Sequence, residues 1–153
     1  MTRKIRSDGR AIDVSAHLPA LEETLGEVPG LAAVYLYGSY GTPSQTPLSD
    51  VDIALVFEEG REPSPQQHLE LIGRIIAALH EDDVSVTVLN QAPLALRFKV
   101  LAEGRRLLLL DEIAHADVLE HTITRYSDFA IDEERFLREY DQALVEDYCS
   151  GAD

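Results

Sequence analysis

The residues best suited to chemistry in this sequence are a glycine–serine pair and, after ten intervening residues, two aspartates separated by one residue. The pair is Gly38-Ser39, and the aspartates are Asp50 and Asp52. On a strand the two carboxylates project from one face, and such a repelling pair is stable mainly when a cation joins it. Gly38 lets the backbone approach a ligand closely, and Ser39 offers a hydroxyl and an N–H to an anion. This spacing predicts a metal-assisted transfer from a nucleoside triphosphate.

The stretch from Leu36 to Phe57 resembles the nucleotidyltransferase superfamily related to DNA polymerase β. The glycine, the serine, the spacing and both aspartates agree with the motif of that superfamily. The shortness of the chain narrows the resemblance to the minimal nucleotidyltransferases, which are antitoxins encoded beside HEPN-domain toxins. The segments 84–90 and 100–108 continue the similarity, so that it covers about residues 31–110.

The resemblance implies a role for each residue of the motif. It implies that Gly38 and Ser39 contact the β and γ phosphates of ATP, while Asp50 and Asp52 hold one or two Mg²⁺ ions. Without the resemblance, the same residues are also compatible with an ordinary Gly-Ser turn and an acidic turn before a strand.

A third carboxylate is expected on the strand that here reads Val84–Leu89, because active members of the family usually carry one there. Alignment of that strand puts Ser85 at the position. Serine neither binds a metal as a carboxylate does nor accepts a proton readily at neutral pH. Asp83 lies one same-face step earlier, about 6–7 Å along a strand, and is the candidate catalytic base. The alternative is that Asp82 and Asp83 form a charged turn.

An arginine is also missing. Related proteins often continue after the Gly-Ser pair with Ala-Arg-Gly, whereas this chain reads Tyr40-Gly41-Thr42-Pro43. A cation that would neutralise the triphosphate is therefore absent from that position. Four basic residues are candidate replacements, with ordinary surface charges as the alternative: Arg97, Lys99, Arg105 and Arg106.

Predicted strands and a loop position the motif. Leu31–Tyr37 reads as a buried strand that leads into the Gly-Ser pair, residues 41–49 as a loop, and Val51–Phe57 as the second strand. Val84–Leu89 is predicted as the third strand. Arg106–Leu110 is predicted as a fourth strand that would suit an edge of the sheet.

Helices are predicted between and after these strands. Leucine spacing predicts a helix over residues 17–27. The sequence from Ser64 to Gln67 has the N-cap serine, the proline and the glutamine of a capping box, which predicts the start of a second helix. The helix after that box runs to about His80, and its predicted inner face holds Leu69, Ile72, Ile75, Ile76 and Leu79. Further helices are predicted over 93–103, 111–129 and 132–148. Alternating strands and helices give an α/β (α+β) fold, and the resemblance implies a small mixed sheet flanked by helices. We expect a single domain over residues 1–153, with its core at about 15–110 and C-terminal helices at about 111–148.

The net charge of −15 is the compositional outlier. It disfavours direct binding to nucleic acid and suits a basic protein partner. Because arginines far outnumber lysines, the charge would also suit a high-salt cytoplasm, and a solvated acidic surface is the simplest alternative. No apolar run approaches the ~20 residues of a membrane span, and no apolar signal core follows the basic N-terminus. A cytoplasmic protein is expected.

The leading interpretation is a minimal nucleotidyltransferase antitoxin. The resemblance implies that it binds ATP and Mg²⁺ and moves AMP onto a hydroxyl of a cognate HEPN toxin, by analogy a tyrosine, within a hetero-oligomer. Ser85 and the missing arginine favour the first alternative, a catalytically decayed antitoxin that neutralises the toxin by binding only. A small-molecule adenylyltransferase is the second alternative, and the lack of an obvious second substrate domain disfavours it.

Overall fold

The computed structural model describes residues 15–38 and 51–128, together with positions 135 and 138. Its strands are β1 (Leu31–Tyr37), β2 (Val51–Phe57), β3 (Val84–Val88) and β4 (Arg105–Leu109). They form one sheet in the order β3-β2-β1-β4. β1 is antiparallel to both β2 and β4, whereas β2 and β3 are parallel. The predicted small mixed sheet is confirmed, and β4 occupies one of its edges.

Helices accompany the sheet as α1 (Leu18–Leu25), α2 (Pro65–Leu79) and α3 (Leu94–Glu103). Residues 112–128 are also helical and are called α4. The predicted arm over 1–14, the loop over 41–49 and the helix over 132–148 lie outside the described residues. Within the described ranges, no helix is both long enough and apolar enough to cross a membrane.

Both faces of the sheet are covered, so the first two strands are almost wholly buried. On one face, α1 and α2 pack on the sheet through Leu21, Leu25, Leu71, Ile75 and Leu79. On the other, small and branched strand residues pack against α3, α4 and the turn after β3: Ala33, Ala54, Val56, Leu89, Val100 and Val118. Strands buried on two faces read as continuous apolar runs. In β2 the one residue that is not buried is Asp52.

The start of α2 is fixed by the capping box that the sequence predicts. Ser64 Oγ accepts a hydrogen bond from the backbone N–H of Gln67 at 3.2 Å, and Gln67 Oε1 accepts one from the N–H of Ser64 at 2.9 Å. Two N–H groups that would otherwise lack a helical partner are thereby satisfied. The helix ends before His80, which adopts a left-handed conformation with φ 51°.

The inner face of α2 differs from the predicted one. Leu71, Ile75 and Leu79 are buried, whereas Leu69 is 69% exposed. The prediction for Leu69 is wrong because it lies about 200° around the helix from Leu71, at about 100° per residue. The helix is apolar enough to offer two overlapping stripes, and contact with the sheet selects the one that begins at Leu71.

A side-chain amide closes the end of β2. Asn90 Oδ1 accepts a hydrogen bond from the N–H of Phe57 at 2.9 Å, and Asn90 Nδ2 donates one to the carbonyl of Phe57 at 2.8 Å. The third strand ends at Val88, one residue earlier than predicted, because Leu89–Gln91 forms a 3-10 turn. The side-chain amide of Asn90 thus makes the two hydrogen bonds to the backbone of Phe57 that a further residue of β3 would otherwise make.

Candidate active site

Asp52 lies in the central part of the sheet, at the second position of β2. Its neighbours across the strands are Tyr37 on β1 and Ser85 on β3. Directly paired residues project from the same face of a sheet. The side chains of Tyr37, Asp52 and Ser85 therefore share the face on which α3 and α4 pack.

Gly38 follows β1 and meets the carboxylate of Asp52. Its φ is +79°, a conformation that residues with a β-carbon rarely adopt. A β-carbon built on Gly38 would lie 2.2 Å from Asp52 Oδ2. Only glycine therefore lets the end of β1 approach this carboxylate so closely.

The structure describes two of the four motif residues, Gly38 and Asp52, and brings them together. The predicted positions of Ser39 and Asp50 lie outside the described residues. Within the described part of the chain, no three potential metal-ligating side chains are grouped. Asp52 supplies a carboxylate, which is the type of ligand that Mg²⁺ prefers, and Gly38 places no side chain against it.

Ser85 lies directly across from Asp52, on a strand about 4.8 Å away. The residue is exposed, so the position paired with Asp52 carries a hydroxyl and no carboxylate. Asp83 lies just before β3. Its carbonyl accepts a hydrogen bond from Val51 N–H at 2.9 Å, and its own N–H donates to Glu81 Oε1 at 3.2 Å. The backbone of Asp83 therefore holds the start of β2, while the side chain stays the candidate base.

The four candidate cations are placed differently. Arg97 Nε donates to the Ala92 carbonyl at 3.0 Å, which ties it to the start of α3. Lys99 is exposed on the same helix. Arg105 pairs with Leu36 and points to the opposite face from Asp52. Arg106 is exposed and pairs with Tyr35, and so shares the face of Asp52. Of the two arginines on β4, Arg106 is therefore the one on the face of Asp52, and its side chain also hydrogen-bonds Tyr35.

A hydroxyl contact crosses β2 on the same face. Tyr37 Oη lies 3.2 Å from Thr87 Oγ1, and either hydroxyl can be the donor. The contact connects β1 with β3, the two strands that flank Asp52. It therefore fixes the side chain of Tyr37, which ends the strand leading into Gly38.

A buried tyrosine–histidine pair joins β1 to α4. Tyr35 Oη lies 2.7 Å from His115 Nε2, and the two residues are only 5% and 6% exposed. Burial raises the pKa of Tyr35, although the charge of Arg106 opposes the shift. Burial lowers the pKa of His115, and Arg106 lowers it further. The sequence offered no signal for this pair, because its members are eighty residues apart.

The sequence places the protein in a known family. The family model of polymerase beta, nucleotidyltransferase, matches residues 20–113, which is more than half of the chain. The chain therefore belongs to this nucleotidyltransferase family. No curated protein matches it.

Solved structures resemble it over most of its length. A chain of a toxin–antitoxin crystal structure with AMP-PNP has 24% identity and a TM-score of 0.64, with 80% of this chain and 96% of that chain covered. A chain of a toxin–antitoxin MntA–HepT structure has 21% identity and a TM-score of 0.60, with 81% and 96% covered.

A third likeness is to a chain of the structure of a tri-AMPylated Shewanella oneidensis HEPN toxin in complex with an MNT antitoxin. It has 22% identity and a TM-score of 0.63, with 83% of this chain and 98% of that chain covered. Together the three likenesses confirm the polymerase β-like fold that the sequence predicts.

Proposed function

We propose that this protein is an antitoxin that transfers AMP from ATP to a hydroxyl, by analogy a tyrosine hydroxyl, of a cognate HEPN toxin and so neutralises it. The observation that carries the proposal is the contact of Gly38 with Asp52 at the end of β1, in a member of the nucleotidyltransferase family. The HEPN partner and the AMP group are supported by the similar structures with AMP-PNP and with a tri-AMPylated HEPN toxin.

Asp52 and Asp50 are the residues proposed to hold Mg²⁺. When bound, the ion would neutralise charge on the phosphates of ATP and on the leaving pyrophosphate. Gly38 and Ser39 are proposed to face the β and γ phosphates, because a glycine admits close approach of backbone N–H groups to an anion.

The proposed transfer is an in-line displacement at the α-phosphorus. The acceptor oxygen forms a bond to that phosphorus while the bond to the bridging oxygen of the β-phosphate breaks, and pyrophosphate leaves. The proton of the acceptor hydroxyl must move to a base. Asp83 is the proposed base, because Ser85 offers no carboxylate at the position paired with Asp52.

One observation favours a second candidate function. The exposed Ser85 beside Asp52 leaves the transfer without a base on that strand. A protein with such a site could bind the toxin and neutralise it by contact alone. The net charge of −15 suits a basic partner in either case.

Incubation with the product of a neighbouring HEPN gene, Mg²⁺ and ATP labelled on its α-phosphate tests the proposal. We expect label on the toxin and loss of its ribonuclease activity, and no label with Asp52→Asn. Neutralised toxin without label would support the binding-only antitoxin. Active, unlabelled toxin would contradict both.

A further inference from the structure

A cavity of about 350 Å³ lies on the face of the sheet opposite to Asp52. Its floor includes Phe57, which ends β2, and Leu71 of α2, and both belong to the buried cluster under α1 and α2. Phe57 is five residues after Asp52, about 16 Å along an extended strand. The cavity is therefore separate from the candidate active site, and its volume is within the range of small-molecule sites.

Arg61 lines this cavity in a position that depends on Gly30. A β-carbon built on Gly30, whose φ is +79°, would lie 2.9 Å from Arg61 Cβ and 3.2 Å from Arg61 Nε. Glu58 N–H donates to the Gly30 carbonyl at 2.9 Å, and Arg61 N–H donates to the Glu58 carbonyl at 3.0 Å. Arg61 Nη1 also donates to Glu58 Oε2 at 3.3 Å. A guanidinium has five N–H donors, so Arg61 is held against this turn with donors left for a ligand.

Arg74 supplies a second cation from α2. Glu70 lies four residues earlier, in the order and at the spacing that favour an ion pair on a helix. Within the described part of the chain, these two side chains make neither that ion pair nor another, and both line the cavity. Because the chain has a net charge of −15, an arginine that leaves such a glutamate unpaired indicates a place for an anionic ligand.

The rest of the lining indicates which kind of anion fits. Glu62 and Glu70 both line the cavity, so a polyphosphate would bring several negative charges beside two carboxylates. A single carboxylate instead matches the planar fork of one guanidinium. The remaining walls are mostly apolar, formed by Val28, Pro29, Phe57, Pro63 and Leu71. The lining therefore favours a ligand with one negative charge and an apolar body.

We propose that this cavity binds a small organic monocarboxylate with an apolar body. Arg61 and Arg74 supply the charge-assisted hydrogen bonds to the carboxylate. Phe57 and Leu71 contact the apolar body, whose removal from water adds to the affinity. The site does not use the contact of Gly38 with Asp52, so it stands or falls apart from the transfer of AMP.

Heteronuclear NMR of the full chain tests the site, with phenylacetate as the probe and without ATP or Mg²⁺. We expect saturable shifts at the backbone N–H groups of Arg61, Leu71 and Arg74, and none at Gly38 or Asp52. Phenylacetamide has the same shape without the charge. It should bind at least about tenfold more weakly, because it lacks the charge-assisted hydrogen bonds.

Substitution of the arginines separates the charge from the apolar walls. Arg74→Met removes the guanidinium from an exposed position of α2 and keeps a long side chain. It should weaken phenylacetate at least about tenfold and leave phenylacetamide unchanged. Arg61→Met should act in the same direction. Arg125→Met, at an exposed arginine of α4 that does not line the cavity, is the matched control and should bind like the wild type.

The absence of saturable shifts around Leu71 and Arg74 would overturn the proposal. Equal affinities for phenylacetate and phenylacetamide, or a phenylacetate affinity unchanged by both arginine variants, would also overturn it. Tighter binding of inorganic pyrophosphate at the same residues would show that the cavity takes phosphates, and the assignment to a monocarboxylate would be wrong.

Discussion

Gly38 and Asp52 are in contact, and a β-carbon on Gly38 would lie 2.2 Å from the carboxylate oxygen Oδ2. Cβ atoms in real structures keep clear of such separations. The backbone at the end of β1 is thereby part of the same site as the carboxylate on β2, although twelve residues that the structure does not describe connect them.

Gly38→Ala should abolish ATP binding. The added methyl group would force Asp52 away from its present position, and the left-handed backbone adds about 1–2 kcal/mol of strain. Isothermal titration with ATP and Mg²⁺ measures the loss of ATP binding, and thermal unfolding measures the loss of stability caused by the backbone strain.

Gly60→Ala is the matched control for this change. Gly60 has φ +85°, but a β-carbon there would meet nothing within 4 Å. It should lose similar stability and keep its affinity for ATP. Equal ATP affinities in both variants would show that the contact with Asp52 does not matter for the nucleotide.

The pair Asp50→Asn with Asp52→Asn should lower AMP transfer at least about a hundredfold, which corresponds to about 3 kcal/mol of lost transition-state stabilisation. Thermal unfolding without Mg²⁺ should change little, because the substitution removes charge and keeps the side-chain volume. Transfer is measured with labelled ATP. Full transfer by the double variant would contradict the metal assignment.

Asp83→Ala should abolish transfer and leave the affinity for ATP unchanged, because a base acts in the chemical step. The hydrogen bond from Val51 N–H to the carbonyl of Asp83 is a backbone contact and survives the change. Single-turnover rates and ATP titrations separate the two quantities. Unchanged rates would show that Asp83 is not the base and is only part of a charged turn.

Ser85→Asp should raise the rate of transfer if the wild type is slow, because it puts a carboxylate opposite Asp52 on the neighbouring strand. Its Mg²⁺ dependence should shift to lower concentration, since a further oxygen ligand becomes available. Ser85→Asn has similar size without the charge and serves as the control. Equal rates for both variants would argue against a missing carboxylate at this position.

Acid should destabilise the fold through His115. Burial and the charge of Arg106 lower the pKa of His115 in the folded state, whereas an unfolded histidine titrates near ~6.5. Below that pH the unfolded chain binds more protons, so the free energy of unfolding should fall as the pH decreases towards the folded-state pKa. Urea unfolding at several pH values measures the slope. His115→Gln, which does not titrate, should flatten it, and an unchanged slope would assign the acid sensitivity to other groups.

The local features of the fold could be predicted from the sequence. The capping box at Ser64 and the strand carrying Asp52 are set by residues close together in the chain, and the structure has both. The choice between Leu69 and Leu71 was beyond sequence reasoning, because either stripe of α2 is apolar and only contact with the sheet distinguishes them.

Part of the candidate site depends on contacts between distant residues. The pairing of Asp52 with Ser85 follows from the register of two parallel strands, which local sequence does not specify. The hydrogen bond of Tyr35 with His115 depends on where α4 crosses the sheet. The roles of all five site residues stay predictions: Gly38, Ser39, Asp50, Asp52 and Asp83.

The backbone hydrogen at the end of β2 exchanges with solvent by a different route from those at its centre, because Asn90 is its hydrogen-bond partner. The N–H of Phe57 is protected by a side-chain amide, so its hydrogen is released when that one side chain rotates away. The N–H groups of the central residues of β2 are released only when neighbouring strands separate. The rate of hydrogen exchange at Phe57 therefore reports the motion of a single amide, and the rates at Ile53 to Val56 report the opening of the sheet.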